Sequence, residues 1–119
     1  MRSSSEIDKV IQKLRLKILQ KYNLAVTAGY GPRLLHSTGQ LHKGDAGHGL
    51  FIQFTAKAGK DLPIPEIIGE SKSSLSFKTL IDSQALGDRQ ALLNSGRKVI
   101  SVQFSDSFIS NLKKIIEEL

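Results

Sequence analysis

The chain has 119 residues, 39% of them hydrophobic and 24% charged, and its 17 Lys+Arg against 11 Asp+Glu give a net charge of +6. This length predicts a single domain over residues 1–119 that buries about two thirds of its unfolded surface, and the composition argues against wholesale disorder. The absence of cysteine excludes disulfides, zinc–thiolate sites and a thiol nucleophile, and it suits a reducing, cytoplasmic location. No apolar run approaches the roughly 20 residues of a membrane helix, and the first five residues do not lead into a secretory signal.

The positive charge is compatible with nucleic acid, with a small anionic ligand or with a solvated surface. Nucleic-acid binders concentrate their cations on one face and interleave aromatic side chains on which bases stack. Here the cations are scattered along the chain and aromatic residues make up only 6%. The composition therefore argues against nucleic acid and leaves a solvated surface or a pocket for a small anionic ligand.

Helices are predicted at both ends of the chain. The first covers Ser3–Asn23, because Ser3 and Glu6 have the spacing of a capping box and Asn23 can end a helix in a left-handed conformation. The last helix is predicted to begin after Ser105 or Asp106, either of which can cap it. The apolar stripe of the first helix consists of Ile7, Val10, Ile11, Leu14 and Ile18.

Three strands are predicted, at Leu24–Tyr30, Gly49–Ala56 and Lys98–Phe104. Alternation of strands with helices is typical of a parallel sheet covered by helices on both faces. The expected fold is therefore α/β, a three-layer sandwich around about three parallel strands. Because so small a parallel sheet leaves exposed edges, we expect further strands to come from another domain or subunit.

The middle of the chain mixes extended and helical patterns. Ala58–Ser74 contains two prolines and two glycines, which favours an irregular, extended passage. Ser76–Leu86 has helical periodicity, and Gly87–Asp88 is predicted to interrupt it before a second short helix that runs through Leu93 and ends at Gly96.

A polar stretch, Gly31–Gly44, follows the first predicted strand. Pro32 suits the first turn of a helix, and Gly44 suits its end. Open α/β sheets place ligands where such a helix begins at the carboxyl end of a strand. We therefore expect the functional site here.

The same stretch, Tyr30–Gly44, contains Leu35-His36-Ser37-Thr38-Gly39-Gln40 and resembles the carboxy-terminal sugar-isomerase segment of bifunctional transaldolase/phosphoglucose isomerases. Further matches follow in the same order: Asp61-Leu62-Pro63-Ile64-Pro65, Ser76-Phe77-Lys78-Thr79-Leu80, Gln84-Ala85-Leu86-Gly87-Asp88 and Gly96-Arg97. The resemblance spans most of residues 24–104. It implies a fold of the sugar-isomerase (SIS) type and interconversion of glucose 6-phosphate and fructose 6-phosphate in carbohydrate metabolism, without a cofactor or metal.

The resemblance also implies the site residues. His36 would be the catalytic group that opens the sugar ring, since imidazole exchanges protons near neutral pH. Lys113 or Lys114 would be a second acid–base group. The residues expected to bind substrate are Arg33, Ser37, Thr38, Gln40 and Lys43. Each has a structural alternative: a surface or capping histidine, an arginine paired with a carboxylate, hydroxyls that cap a helix, or exposed polar side chains.

One essential group of the family is missing from its expected place. The enolising base lies in a Glu-Ser-x-Gly-Lys motif before the histidine, and no such motif precedes His36; Glu70-Ser71-Lys72 follows it and lacks the glycine. We therefore expect the isolated chain to be inactive and to need the remaining isomerase domain or a partner subunit. A transaldolase domain is one candidate for that partner. The alternatives are a non-catalytic sugar-phosphate-binding or regulatory module, and a basic adaptor for nucleic acid or protein.

Overall fold

The computed structural model describes residues 4–33, 37–57, 60–105 and 107–119. In chain order the elements are α1 (Ser5–Tyr22), α2 (Thr38–Gly44), β1 (Leu50–Ala56), β2 (Pro63–Ile64), β3 (Leu75–Ser76), α3 (Phe77–Asn94), β4 (Lys98–Phe104) and α4 (Phe108–Glu118). β1 and β4 pair in parallel over seven residues each, and β2 and β3 form a short antiparallel ladder. The structure is therefore a mixed helix–strand fold around a small parallel sheet.

The core lies between α1, α4 and one face of the parallel sheet. Within the described ranges its buried members are Val10, Leu14, Phe104, Phe108 and Leu112. Phe104 packs edge-on against Phe108 with ring centroids 5.0 Å apart, and Phe54 stacks on Phe104 at 5.8 Å. Phe54, Val102 and Phe104 share this face because successive side chains of a strand alternate between faces.

The opposite face of the sheet meets α2 and α3. The Phe51 ring lies 5.3 Å from the ring of His42 on α2. The Gln53 side-chain amide donates to the carbonyl of Ala85 on α3 at 2.8 Å. Helices thus cover both faces, as predicted. The number of strands was predicted wrongly, because the described residues pair only two strands in parallel instead of three.

Leu24–Tyr30 is the strand that does not form. This segment instead lies against α1, where Arg15 Nε donates to the carbonyl of Val26 at 2.9 Å and the Tyr30 hydroxyl donates to Asp8 at 2.5 Å. Leu24 is more than half exposed. The segment is bonded to a helix and not to a neighbouring strand, so it does not join the sheet.

The predicted end signals of the helices are close to the observed ones. Ser4, not Ser3, caps α1 by accepting from the backbone N–H three residues later, while Ser3 lies outside the described residues. Asn23 ends α1 in the left-handed conformation, as predicted, with φ 54°. At α4 the cap is Ser107, so the predicted cap Ser105 is two positions too early, and Asp106 is outside the described ranges.

The strands at 50–56 and 98–104 are confirmed almost to the residue, and Ile64 is extended as expected. The break predicted at Gly87 is wrong, because α3 runs through it without interruption to Asn94. A glycine inside a helix costs only about 1 kcal/mol relative to alanine, and the helix formers around it outweigh that cost.

Much apolar surface remains uncovered. The radius of gyration is 16.3 Å, compared with about 13.5 Å for a compact domain of this length. The first turns of α3 expose Phe77, Leu80 and Ile81 by 50%, 36% and 46%. Among the described helices none is both long enough and apolar enough to cross a membrane.

Candidate functional site

The polar stretch of the sequence forms a turn followed by the short helix α2. Residues 31–33 form the turn, the Gly31–Pro32 peptide is cis, and Pro32 is not in the first turn of a helix as was predicted. α2 begins only at Thr38, with Ser37 as its N-cap residue. Proline with its fixed φ suits a turn as well as a helix start, which is why the pattern misplaced the beginning. The end of the helix at Gly44 is confirmed.

Arg97 holds the carboxyl end of α2. Its guanidinium donates to three backbone carbonyls at this end, those of His42 at 3.2 Å, Lys43 at 3.1 Å and Asp45 at 2.7 Å. A fourth bond goes to the nearby carbonyl of Ser95 at 2.9 Å. The same group forms an ion pair with the Asp45 carboxylate at 2.8 Å, and the Arg97 side chain is only 9% exposed. A cation at this position satisfies carbonyls that have no partner within the helix and compensates the negative end of the helix dipole.

The turn after α2 is shaped around this guanidinium. Gly47 has φ +87°, and a Cβ atom at this position would lie 2.9 Å from Arg97 Nη1. Its backbone N–H donates to the side chain of Asp45 at 2.9 Å. The glycine-rich turn thus packs the chain around Arg97. This packing accounts for its glycines, so a nucleotide-binding role is not needed to explain them.

A second ion pair ties α2 to α3. Lys43 Nζ lies 2.6 Å from Asp88 Oδ1, with both side chains more than two thirds buried. Lys43 was expected to bind substrate, and in this structure its ammonium is engaged by a carboxylate of the neighbouring helix. Together with Arg97, this pair fixes α2 against α3 and the start of β4.

The remaining predicted site residues fall into two groups. Arg33, Ser37, Thr38 and Gln40 are exposed to solvent around the start of α2. His36, the predicted ring-opening group, lies outside the described residues. The described polar side chains that flank the histidine in sequence are therefore open to solvent.

The lysines of the last helix occupy a different part of the molecule. Lys113 and Lys114 are exposed on α4, which packs against α1. Lys113 borders an open groove of about 470 Å³, whose lining consists of Glu6, Asp8, Lys9, Val10, Gln12, Lys13 and Lys113. α2 by contrast is attached to α3 through the Lys43–Asp88 pair.

A smaller depression of about 130 Å³ lies beside the turn at residues 31–33, between α1 and the segment that precedes the turn. Its polar lining includes Gln12, Arg15 and Tyr30. Burial, together with the hydrogen bond to Asp8 and the negative charge of that carboxylate, raises the pKa of Tyr30 to about 12. Tyr30 therefore stays a neutral hydrogen-bond donor at physiological pH.

Sequence reasoning missed the structural role of Arg97 and the ion pair of Asp88, which was predicted to lie in a break between two helices. The signal for Arg97 was weak: a cation directly after the helix-ending Gly96 and before a strand. Its partners at the end of α2 are more than fifty residues away, so no local pattern identifies them.

No cluster of three or more metal-ligating side chains occurs within residues 4–33, 37–57, 60–105 and 107–119. Comparison of the chain with protein-family models, with curated proteins and with solved structures found no match in any of the three.

Proposed function

We propose that this chain is the carboxy-terminal, histidine-bearing part of a glucose-6-phosphate isomerase. The observation that carries the proposal is the construction of α2. Lys43 and Arg97 anchor its carboxyl end, while Ser37, Thr38 and Gln40 around its start face solvent. A site needs polar groups on a rigidly supported element, and these flank the histidine of the isomerase-like motif.

His36 would open the cyclic sugar. Ring opening moves a proton from the anomeric hydroxyl to the ring oxygen, and an imidazole that exchanges protons near neutral pH can do both halves of that transfer. The exposed hydroxyls of Ser37 and Thr38 and the amide of Gln40 would orient sugar hydroxyls. Arg33 would bind the phosphate, since the guanidinium fork matches phosphate oxygens.

Isomerisation of the open sugar needs a further group. A carboxylate must move a proton between C1 and C2, and a cation must stabilise the enediolate. Glu70 is exposed in the loop between β2 and β3. We therefore assign the base to the remaining isomerase domain or to a partner subunit, and the uncovered apolar side chains at the start of α3 supply a surface for it.

A coupled assay tests this proposal in two steps. The pure chain should give no turnover of glucose 6-phosphate above a blank. Addition of an amino-terminal isomerase domain that carries Glu-Ser-x-Gly-Lys should restore turnover. In that mixture His36→Ala should lower turnover of the cyclic sugar by roughly a hundred- to ten-thousandfold.

The control variant is His48→Ala, which removes an exposed histidine outside the motif and should leave the rate unchanged. The loss caused by His36→Ala should be much smaller with a substrate already in the open-chain form. Equal losses on both substrates would remove ring opening from the role of His36. Turnover by the pure chain that survives Glu70→Gln would show that the base lies elsewhere in this chain.

A non-catalytic sugar-phosphate-binding module is the second candidate. It is favoured by the Lys43–Asp88 pair, which engages a cation that an isomerase site would otherwise offer to substrate. Binding of fructose 6-phosphate, measured by calorimetry, without any turnover in the complemented mixture would support this candidate over the enzyme.

A further inference from the structure

The outer edge of β1 has no strand beside it in the part of the chain that the structure describes. Within the described residues β1 pairs only with β4, so one side of the strand leaves its backbone N–H and C=O groups without a strand partner. Exposed edges in natural proteins usually carry lysine, proline or a bulge that prevents pairing with another chain. The sequence Leu50–Ala56 holds no charge and no proline, although the chain has 17 Lys+Arg. β4, by contrast, begins with Lys98.

The sheet face that carries the core is covered over only half of its length. At the carboxyl end Phe54 and Phe104 pack under α1 and α4. At the amino end of the same face Leu50, Ile52 and Ile100 are exposed by 57%, 41% and 50%. Parallel strands are normally buried on both faces, so this amino-terminal half needs a cover.

The area available matches a dimer interface. The accessible surface is 8805 Å², whereas a compact monomer of 13.1 kDa exposes about 6,400 Å². The surplus is about 2,400 Å² per chain, and obligate homodimers bury about 2,000–5,000 Å² in total, or about 1,000–2,500 Å² per chain. One self-contact would remove much of this surplus.

We propose that two copies of the chain associate by antiparallel pairing of β1 with β1 of the second copy. A two-fold axis near Gln53, the middle residue of the strand, would create a four-stranded sheet in the order β4–β1–β1–β4. Ile52 would then lie opposite Phe54 of the second copy, on the same sheet face. The covered carboxyl half of each copy would sit beside the open amino half of the other.

A second copy fits this edge better than a charged partner does. The strand carries no charge, so electrostatics gives an acidic protein or a nucleic acid no advantage there. A two-fold contact needs only a surface that is complementary to itself, which an uncharged antiparallel edge provides. The apolar start of α3 is not part of this contact and stays available to another domain.

Cysteine cross-linking tests the geometry, and the natural chain contains no cysteine to confuse the result. Residues that face each other across an antiparallel pair have Cα atoms about 4.5–5.5 Å apart, within the range of a disulfide. Gln53→Cys should therefore form a covalent dimer under mild oxidation. The matched control is Ser101→Cys, which replaces the residue beside Gln53 on β4. It should remain uncross-linked.

The native mass tests the association itself. Light scattering at micromolar concentration should give twice the monomer mass. Ile52→Lys should weaken dimerisation at least about tenfold, because a lysine on an edge strand opposes pairing. Leu86→Lys, at an exposed apolar position on α3, should change it by less than about threefold, and circular dichroism should confirm that both variants fold. A monomer at all concentrations, association only after nucleic acid is added, cross-linking through Ser101→Cys alone, or equal effects of the two lysines would each overturn the proposal.

Discussion

The two ends of the parallel sheet carry similar side chains in opposite environments. At the carboxyl end Phe54, Val102 and Phe104 lie under α1 and α4. At the amino end Leu50, Ile52 and Ile100, on the same face, remain about half exposed. Hydrophobicity therefore does not decide which of them form the core. What decides is where the two covering helices lie, and both of them cover the carboxyl end.

The largest expected effect is at the centre of the covered end. Leu112 is 0% exposed, so Leu112→Ala should lower the free energy of unfolding by roughly 2 to 5 kcal/mol through lost burial and the cavity left behind. Leu86→Ala makes the same chemical change at a position that is 62% exposed and should stay within about 0.5 kcal/mol. Urea denaturation measures both.

If Leu112→Ala does not fold, Ile115→Val in the same cluster should still cost roughly 0.5 to 1.5 kcal/mol. Equal effects at Leu112 and Leu86 would mean that the covered end is not the core.

The second prediction concerns the bonds of Arg97 to the carboxyl end of α2. Arg97→Met removes the charge and the hydrogen bonds to the helix end but keeps a similar stem. Hydrogen bonds to charged groups contribute roughly 1.5 to 3 kcal/mol, so the amides of α2 should exchange about ten- to a hundredfold faster. Amide hydrogen exchange followed by mass spectrometry reads this locally. Arg33→Met, at an exposed arginine, is the control and should leave exchange in α2 unchanged.

Replacing either of two glycines by alanine, one inside α3 and one just after its end, should change stability in opposite directions. Gly87 lies inside the helix, and a Cβ atom there meets nothing within 4 Å, so Gly87→Ala should stabilise the chain by up to about 1 kcal/mol. Gly96 has φ +75°, a conformation that strains other residues, so Gly96→Ala should destabilise it by about 1 kcal/mol or more. Thermal unfolding compares the two. Destabilisation by Gly87→Ala would revive the predicted helix break.

The smallest effect concerns the ionisation of Tyr30, whose hydroxyl contacts Asp8 on α1. The pKa of Tyr30 is raised to about 12 from an unfolded value of about 10. Because the folded state holds this proton more tightly, the contribution to stability is complete below pH 10 and is lost as the pH rises through 12. In a Tyr22→Phe background, which leaves one tyrosine, phenolate absorbance should report the titration of Tyr30 alone.

Asp8→Asn should lower the pKa of Tyr30 only in part, because burial, the first cause of the shift, would remain. A full return to about 10 would assign the whole shift to the carboxylate.

Local patterns were sufficient wherever a segment carries its own signal. The periodic apolar stripe and the end residue Asn23 predicted α1, and the charge-poor runs at 50–56 and 98–104 predicted β1 and β4. A helix forms its backbone hydrogen bonds within one segment. A strand that is apolar throughout is buried most readily inside a sheet. Predictions from these patterns were correct because they do not depend on residues that are distant in sequence.

The tertiary structure alone decided the number of strands and the attachment of α2. Leu24–Tyr30 has the propensity of a strand, but its backbone and side-chain bonds go to Arg15 and Asp8 on α1. Arg97 reaches carbonyls more than fifty positions away. A strand exists only with a partner, and a buried cation only with its acceptors. Both depend on residues that are remote in sequence. The sequence therefore shows that such contacts are possible, and the packed fold determines which of them form.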